Sequence, residues 1–162
     1  MNAPSRQDYR DAMARLGSAV SIITTDGPAG RAGFTASAVC SVTDEPPTLL
    51  VCINRSSSAF AAFAANPALC VNTVGAGQQA LCALFGGRTA MAERFAGGRW
   101  ERLATGAPVL AGALVSFDCR VVGRTTVGTH DILWCEAAAL RHGGAGGGLI
   151  YFDRRYHEVA AG

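Results

Sequence analysis

The order of apolar and polar positions divides the chain into short strands separated by turn-forming residues, with helices near the start and in the middle. Tyr9, Met13 and Leu16 recur at helical spacing, which predicts a helix over residues 6–16, and Gly17 can end it. SAVSIITT (18–25) reads as a β-branched strand, DGPAGR (26–31) as a turn, and AGFTASAVCSVT (32–43) as the returning strand. DEPP (44–47) breaks that run before a short apolar strand, TLLVCIN (48–54). RSSS (55–58) can cap a following helix, which ends at Asn66-Pro67 because the residue before proline disfavours the α region. ALCVNTV (68–74) is a further buried strand, and residues 77–100 read as mostly helical with a break at Gly86-Gly87.

In the C-terminal half, Val115, Phe117, Cys119 and Val121 alternate with Ser116, Asp118 and Arg120, a period of two with one wet face. DILWCEAAAL (131–140) follows as a strand. HGGAGGG (142–148) is a turn, and LIYFDRRYH (149–157) is the last element. Strands with short links and few helices point to an antiparallel barrel or sandwich with helical insertions. The pattern holds no repeat and no linker, so one domain over 1–162 is expected.

Composition narrows the classes. With 49% apolar and 16% charged residues, the chain can bury a sizeable core. A formal net charge of +2, spread along the chain, argues against a nucleic-acid partner. No apolar run approaches the roughly 20 residues that span a bilayer, and the polar start MNAPSRQDYRD has no signal-peptide core, so no membrane role and a cytoplasmic location are expected. The six cysteines form no C-x-x-C pair and mostly sit in apolar strands, which reads as buried free thiols and no metal.

Gly75-Ala76-Gly77-Gln78-Gln79-Ala80 matches a dinucleotide-binding fingerprint between a strand and a helix. That fingerprint needs a second parallel strand ending in an acid about 20 residues on. Here the stretch is TAMAERFAGGRW, helix and loop, and Glu93 stands on the wrong kind of element. A glycine turn is the better reading.

Five segments in order carry a family resemblance: GFTASAVCSV (33–42), DEPPTLLVCINRSSSAF (44–60), CVNT (70–73), VGTHDILWCE (127–136) and LIYFDRRYH (149–157). Together they resemble the short-chain flavin reductases, over residues 8–157, with the uracil (pyrimidine-utilisation) branch most alike. The resemblance implies a six-stranded antiparallel Greek-key split β-barrel that binds FMN, with peripheral helices, assembled as a homodimer. It implies NADH-dependent reduction of FMN, with FAD and NADPH as possible substitutes. The reduced flavin would diffuse to a monooxygenase of uracil or hydroxyphenylacetate type.

The residue chemistry fits a flavin on its own terms. An isoalloxazine ring needs backbone and hydroxyl donors at its polar edge and an apolar wall at its face. Thr35, Ala36, Ser37 and Ala38 are small enough for close backbone approach, and the resemblance places them along the flavin. Asn54, Arg55, Ser56, Ser57 and Ser58 offer an amide, a cation and three hydroxyls for a phosphate. Asn72 is a polar residue inside an apolar run and needs partners, either a neighbouring loop or, by resemblance, the flavin edge. Phe85 is a core candidate that could flank the ring, and Tyr156 belongs to the C-terminal aromatic and basic motif.

The sharpest candidate is His130. Many relatives carry Gly-Asp-His where this chain has Gly128-Thr129-His130, so a carboxylate role at that position is in doubt. The resemblance puts this histidine near the nicotinamide, as an orienting group. The rival readings are a flavin-holding electron carrier without catalysis, and a reductase of cobalamin or ferric chelates.

Overall fold

The computed structural model describes residues 2–162. Helix α1 (Arg6–Met13) is followed by β1 (Ser18–Ala19), β2 (Ser21–Thr25), β3 (Ala32–Ala36), β4 (Val39–Asp44) and β5 (Pro47–Asn54). Then come α2 (Phe60–Ala65), β6 (Ala68–Thr73), α3 (Gln79–Gly86), α4 (Met91–Ala96), β7 (Trp100–Glu101) and β8 (Val109–Leu110). Two long strands, β9 (Val115–Val127) and β10 (His130–His142), precede a last hairpin of β11 (Gly148–Phe152) and β12 (Arg155–Val159).

The protein is mainly β, and every ladder is antiparallel. The principal sheet has seven strands in the order β3-β2-β6-β9-β10-β5-β4, beside a three-stranded sheet β1-β11-β12 and a small β7-β8 ribbon. This differs from the six strands expected. The run 32–43 is two strands, not one, because Ser37-Ala38 breaks it and sends the chain from one edge of the sheet to the other. Two residues can join opposite edges only if the sheet curls strongly. The sheet nevertheless does not close, since β3 and β4 share no ladder. Part of the curl comes from the β9–β10 hairpin, where Val122 and Ala138 are extra residues in the register. Such bulges bend a strand pair and increase its twist.

The core lies on both faces of β2, where Ile22 and Ile23 point opposite ways and are both fully buried. One cluster fills the hollow of the sheet, around Ile23, Val51, Phe63, Leu69 and Leu133. The other packs beneath α3 and α4, around Ile22, Cys82, Phe85, Phe95 and Leu149. Burial on both faces explains why 18–25 shows no clean alternation. Truncating a fully buried ring such as Phe63 to alanine would cost about 3–5 kcal/mol.

Local details follow the chain chemistry. α1 begins at a capping box in which Ser5 Oγ and Asp8 satisfy each other's backbone N–H, but it ends at Met13, three residues short of the expected helix. α2 ends at Asn66 as expected, and the Asn66 amide then pins the 26–31 turn by accepting from Ala29 N and donating to Gly30 O. The final segment is a hairpin rather than one element, because Asp153 and Arg154 turn the chain at φ 50° and 60°. Among the described residues no helix is long and apolar enough to cross a membrane.

Candidate active site

β3 is an edge strand, so its outer row of backbone groups has no strand partner. That edge, continued through Ser37-Ala38, forms one wall of a pocket of about 410 Å³. The opposite wall comes from the end of β5 and the turn after it, with Cys52, Asn54, Ser57 and Ser58. Phe85, Gly86, Gly87 and Arg94 close the floor, and His130 stands at the rim.

Each wall is fixed locally. Thr35 Oγ1 donates to Cys82 O at 2.7 Å, which ties β3 to α3. Gly33 lies so close to Phe85 that a Cβ there would come within 2.6 Å of the ring. The 54–57 turn is organised by Asn54, whose Oδ1 accepts from both Ser56 N (2.9 Å) and Ser56 Oγ (2.8 Å). Ser57 Oγ accepts from Ala59 N, while the N-cap of α2 is Ala59 itself, with no side-chain cap. The expected serine side-chain cap is therefore absent; Ser57 and Ser58 line the pocket, and Ser56 does not.

The pocket floor carries a cation. Arg94 is only 5% exposed and has no carboxylate partner among the described residues. Its guanidinium donates to the carbonyls of Gly33 (2.9 Å), Phe85 (3.3 Å), Gly87 (3.3 Å) and Thr89 (2.9 Å), and to Ser58 Oγ (3.1 Å). It holds β3, the glycine break and the serine turn in one arrangement. It also gives a polar pocket a buried positive charge, which favours an anion.

His130 opens β10 immediately after a two-residue turn, Gly128-Thr129, in which Gly128 has φ 57°. It pairs with Val127 on one side and Asn54 on the other. Its Nδ1 is in hydrogen-bond contact with Thr129 Oγ1 at 2.9 Å. Arg55 N donates to Thr129 O (2.9 Å), which fastens the hairpin tip to the serine turn. Beside it Asp131, nearly buried, accepts from Thr126 Oγ1 at 2.8 Å and pairs with Arg55 Nε at 3.8 Å.

A smaller pocket of about 320 Å³ adjoins the first, sharing Thr35, Ala36, Ser37 and Gly86 and adding Tyr151, Arg154 and Tyr156. Burial raises the Tyr156 phenol above its ordinary range, with Cys82 and Tyr151 nearby adding to the effect. Burial likewise raises the Cys52 thiol, helped by the neighbouring Cys40.

A family model for the flavin reductase like domain matches residues 13–160. The chain belongs to the flavin reductase family. RutF of Variovorax paradoxus, an FMN reductase (NADH), is 71% identical over 156 residues, 96% of this chain and 87% of that protein. RutF of Serratia proteamaculans, of the same description, is 64% identical over 154 residues, 95% and 88% of the two chains. A crystal structure from Haemophilus somnus superimposes with TM-score 0.93 at 47% identity, covering 96% of this chain and all of that one. The flavin reductase PheA2 matches with TM-score 0.86 at 25% identity, covering 98% of this chain and all of its own.

Within this flavin reductase fold, the sequence candidates divide. Thr35, Ala36, Ser37, Ala38, Asn54, Ser57, Ser58 and His130 line the main pocket. Phe85 also borders it but is only 1% exposed and packs edge-on to Phe95 at 5.1 Å, so it supports the wall from behind. Arg55 and Ser56 face a different depression, on the far side of His130, and Tyr156 lies in the adjoining pocket.

Asn72 does not line the pocket. It is fully buried; its Nδ2 donates to Ile22 O (3.1 Å) and Thr24 Oγ1 (3.1 Å), and its Oδ1 accepts from Leu110 N (2.8 Å) and Ser116 Oγ (2.9 Å). It is the hub that joins β2, β8 and β9, the loop-bonding alternative weighed from sequence. Two site residues escaped the sequence reading. Arg94 lay in a stretch weighed only for helix and for an acidic residue, although a cation between apolar Met91 and Phe95 was a usable signal. Asp131 was overshadowed by the threonine that stands at position 129.

Proposed function

We propose that the protein is an NADH-dependent FMN reductase that supplies reduced flavin to a flavin-dependent monooxygenase of pyrimidine or hydroxyphenylacetate type. The reaction is NADH + FMN + H⁺ → NAD⁺ + FMNH₂. The observation that carries it is 71% identity to an FMN reductase (NADH) across nearly the whole chain, joined to a pocket of flavin-compatible chemistry. The flavin, when bound, supplies the hydride acceptor.

The protein's own residues then have distinct tasks. The open β3 edge and Ser37-Ala38 present backbone groups to the polar rim of the ring, and Thr35 braces that segment. Ser57 and Ser58, with Arg94 beneath, hold the phosphate. His130 orients the nicotinamide; hydride transfer needs no proton from its imidazole. Asn54 and Arg55 set the His130 hairpin, and Tyr156 guards the far side of the flavin segment. Asn72 is left out of the site.

The architecture that fits this reading is a split β-barrel forming one domain over 1–162, with its core in 8–157 and the gap between β3 and β4 as the split. A homodimer is supported by exposed Val42 and Leu140 beside a groove of about 310 Å³ between β4, β5, β9 and β10. Six free cysteines suit the reducing cytoplasm. Steady-state NADH oxidation with and without FMN tests the function. A rate that needs FMN, and that exceeds the rates with cob(II)alamin or ferric chelate, is expected. A rate independent of added flavin would overturn the proposal.

A further inference from the structure

Two thiols stand together where β4 meets the pocket wall. Cys40 of β4 lies directly opposite Leu50 of β5, and Cys52 is two residues further along β5. Strand alternation puts all three on one face of the sheet, so Cys40 and Cys52 are diagonal cross-strand neighbours. Val39 and Ser41, which line the groove offered above to a second copy, point to the other face of β4. Cys40 is exposed, and its Sγ donates to Ser41 O at 3.2 Å. Cys52 is half-buried and lines the flavin pocket, while Cys70, Cys82, Cys119 and Cys135 are all 0% exposed.

The pair is close to bonding distance but not at it. Diagonal neighbours have Cα atoms about 7–8 Å apart, and a disulfide needs about 4.4–6.8 Å. The strand free to close that gap is β4. It is the edge of the sheet, its ladder to β5 is irregular between Ser41 and Thr43, and β5 is held on its other side by β10. Moving β4 moves the pocket wall. Cys52 N donates to Ala38 O (3.1 Å) and Val39 N to Ser37 O (3.1 Å), so Ser37-Ala38 is the direct continuation of the strand.

We propose that Cys40 and Cys52 form an oxidative modification site: hydrogen peroxide converts them to a disulfide that draws β4 inward, displaces Ser37-Ala38 and lowers FMN affinity. The proposal rests on the NADH:FMN reductase reading, because the peroxide comes from that reaction's product. When no oxygenase takes the reduced flavin, FMNH₂ + O₂ → FMN + H₂O₂. The exposed Cys40 thiolate attacks peroxide, breaks its O–O bond and becomes a sulfenic acid as hydroxide leaves. The Cys52 thiolate then attacks the Cys40 sulfur, the S–O bond breaks and a second hydroxide leaves. The two thiol protons and two hydroxides make water, so the balance is 2 RSH + H₂O₂ → RSSR + 2 H₂O. The sulfurs lose two electrons and peroxide gains them. Burial raises the Cys52 thiol, with Cys40 adding to the effect, which suits Cys52 to the second step and not the first. A cellular thiol reverses the bond, as expected of a transient disulfide inside a cell. The site would stop reduced flavin from being made faster than it is used.

The test uses the whole protein and a Cys40→Ser variant, whose altered side chain is exposed and outside the flavin pocket. Peroxide should remove two titratable thiols per wild-type chain, and peptide mapping should find Cys40 joined to Cys52. FMN affinity of the oxidised protein should fall at least about fivefold, the effect of one lost hydrogen bond, and dithiothreitol should restore it. The variant should match the reduced wild type in FMN affinity and NADH oxidation and should keep both in peroxide. Aerobic turnover without an oxygenase should inactivate the wild type progressively, and catalase should prevent this. A Cys40–Cys52 bond with unchanged FMN affinity, equal inactivation of the variant, a bond between two chains, or oxidation of Cys40 alone would each overturn the proposal. Failure of the underlying reading looks different: the reduced wild type would not oxidise NADH with FMN. Thiol titration and flavin binding score the site without any turnover.

Discussion

Replacing Arg94 by methionine tests the structure most directly, because the side chain keeps its apolar stem and loses only the guanidinium. In the native protein the Nη1 atom serves Gly33 O and Phe85 O, both in buried surroundings. Those two carbonyls would be left without a donor, at about 1–3 kcal/mol each. Gly87 O and Ser58 Oγ border the pocket, where water can replace the lost donor. Against this, methionine avoids the desolvation cost of a buried cation. The net expectation is a loss of about 2–4 kcal/mol, or roughly 5–15 °C in Tm for a chain of this size. FMN affinity should fall as well, since the anion-favouring charge and the brace on Ser58 go together. Urea unfolding gives the first number and flavin fluorescence titration the second. A variant within 1 kcal/mol of wild type, with unchanged FMN affinity, would refute the hub reasoning.

Three other outcomes are expected. His130→Ala should lower kcat/KM for NADH by roughly 10- to 100-fold with FMN affinity little changed, read by stopped-flow flavin reduction; an unchanged rate would make it an ordinary turn histidine. Ser57→Ala with Ser58→Ala should weaken FMN binding by about 1.5–3 kcal/mol per lost bond to phosphate, whereas Ser56→Ala, on the other side of the turn, should not. Stability should fall at alkaline pH, because burial raises the thiols of Cys70, Cys82, Cys119 and Cys135, with Cys82 pushed up to about 11 and Cys135 to about 12. In the unfolded chain these thiols ionise from about 9, so the folded state holds more protons above that pH and each thiol costs up to about 1.4 kcal/mol per pH unit. The chain has no lysine, so thiols and tyrosines dominate this window; urea midpoints that stay level from pH 8 to 10.5 would contradict the burial.

Much of the fold was legible because periodicity reports burial. The alternation in 115–121 gave β9, and Asn66-Pro67 gave the end of α2. What failed was local and has physical reasons. Ser37-Ala38 contains neither glycine nor proline, so nothing in 32–43 announced a break that moves the chain between sheet edges. Asp153-Arg154 makes a left-handed turn without the usual glycine or asparagine, which hid the last hairpin. The cysteines were read as buried, and four are; Cys40 is exposed because it lies on the edge strand β4, and Cys52 is half-buried on the neighbouring strand. Asn72 shows that a polar residue in an apolar run does not by itself point to a ligand, since protein partners on β2, β8 and β9 already satisfy it.

The same logic bears on the threonine at position 129. A carboxylate there would sit at a hairpin tip, able to pair with an imidazolium. Threonine offers the His130 Nδ1 a neutral contact instead, while the acid of this region, Asp131, alternates to the other face of the strand and pairs with Arg55. The histidine is thereby positioned by backbone: the Gly128-Thr129 turn, the ladder to Asn54, and the Arg55–Thr129 bond. A group set in place in this way needs no charge to do its work. That is the arrangement an orienting residue requires and a general acid does not. The pH dependence of hydride transfer should therefore stay nearly flat between about pH 6 and 8, and a bell-shaped profile that vanished in His130→Ala would assign the imidazole a proton-transfer role instead.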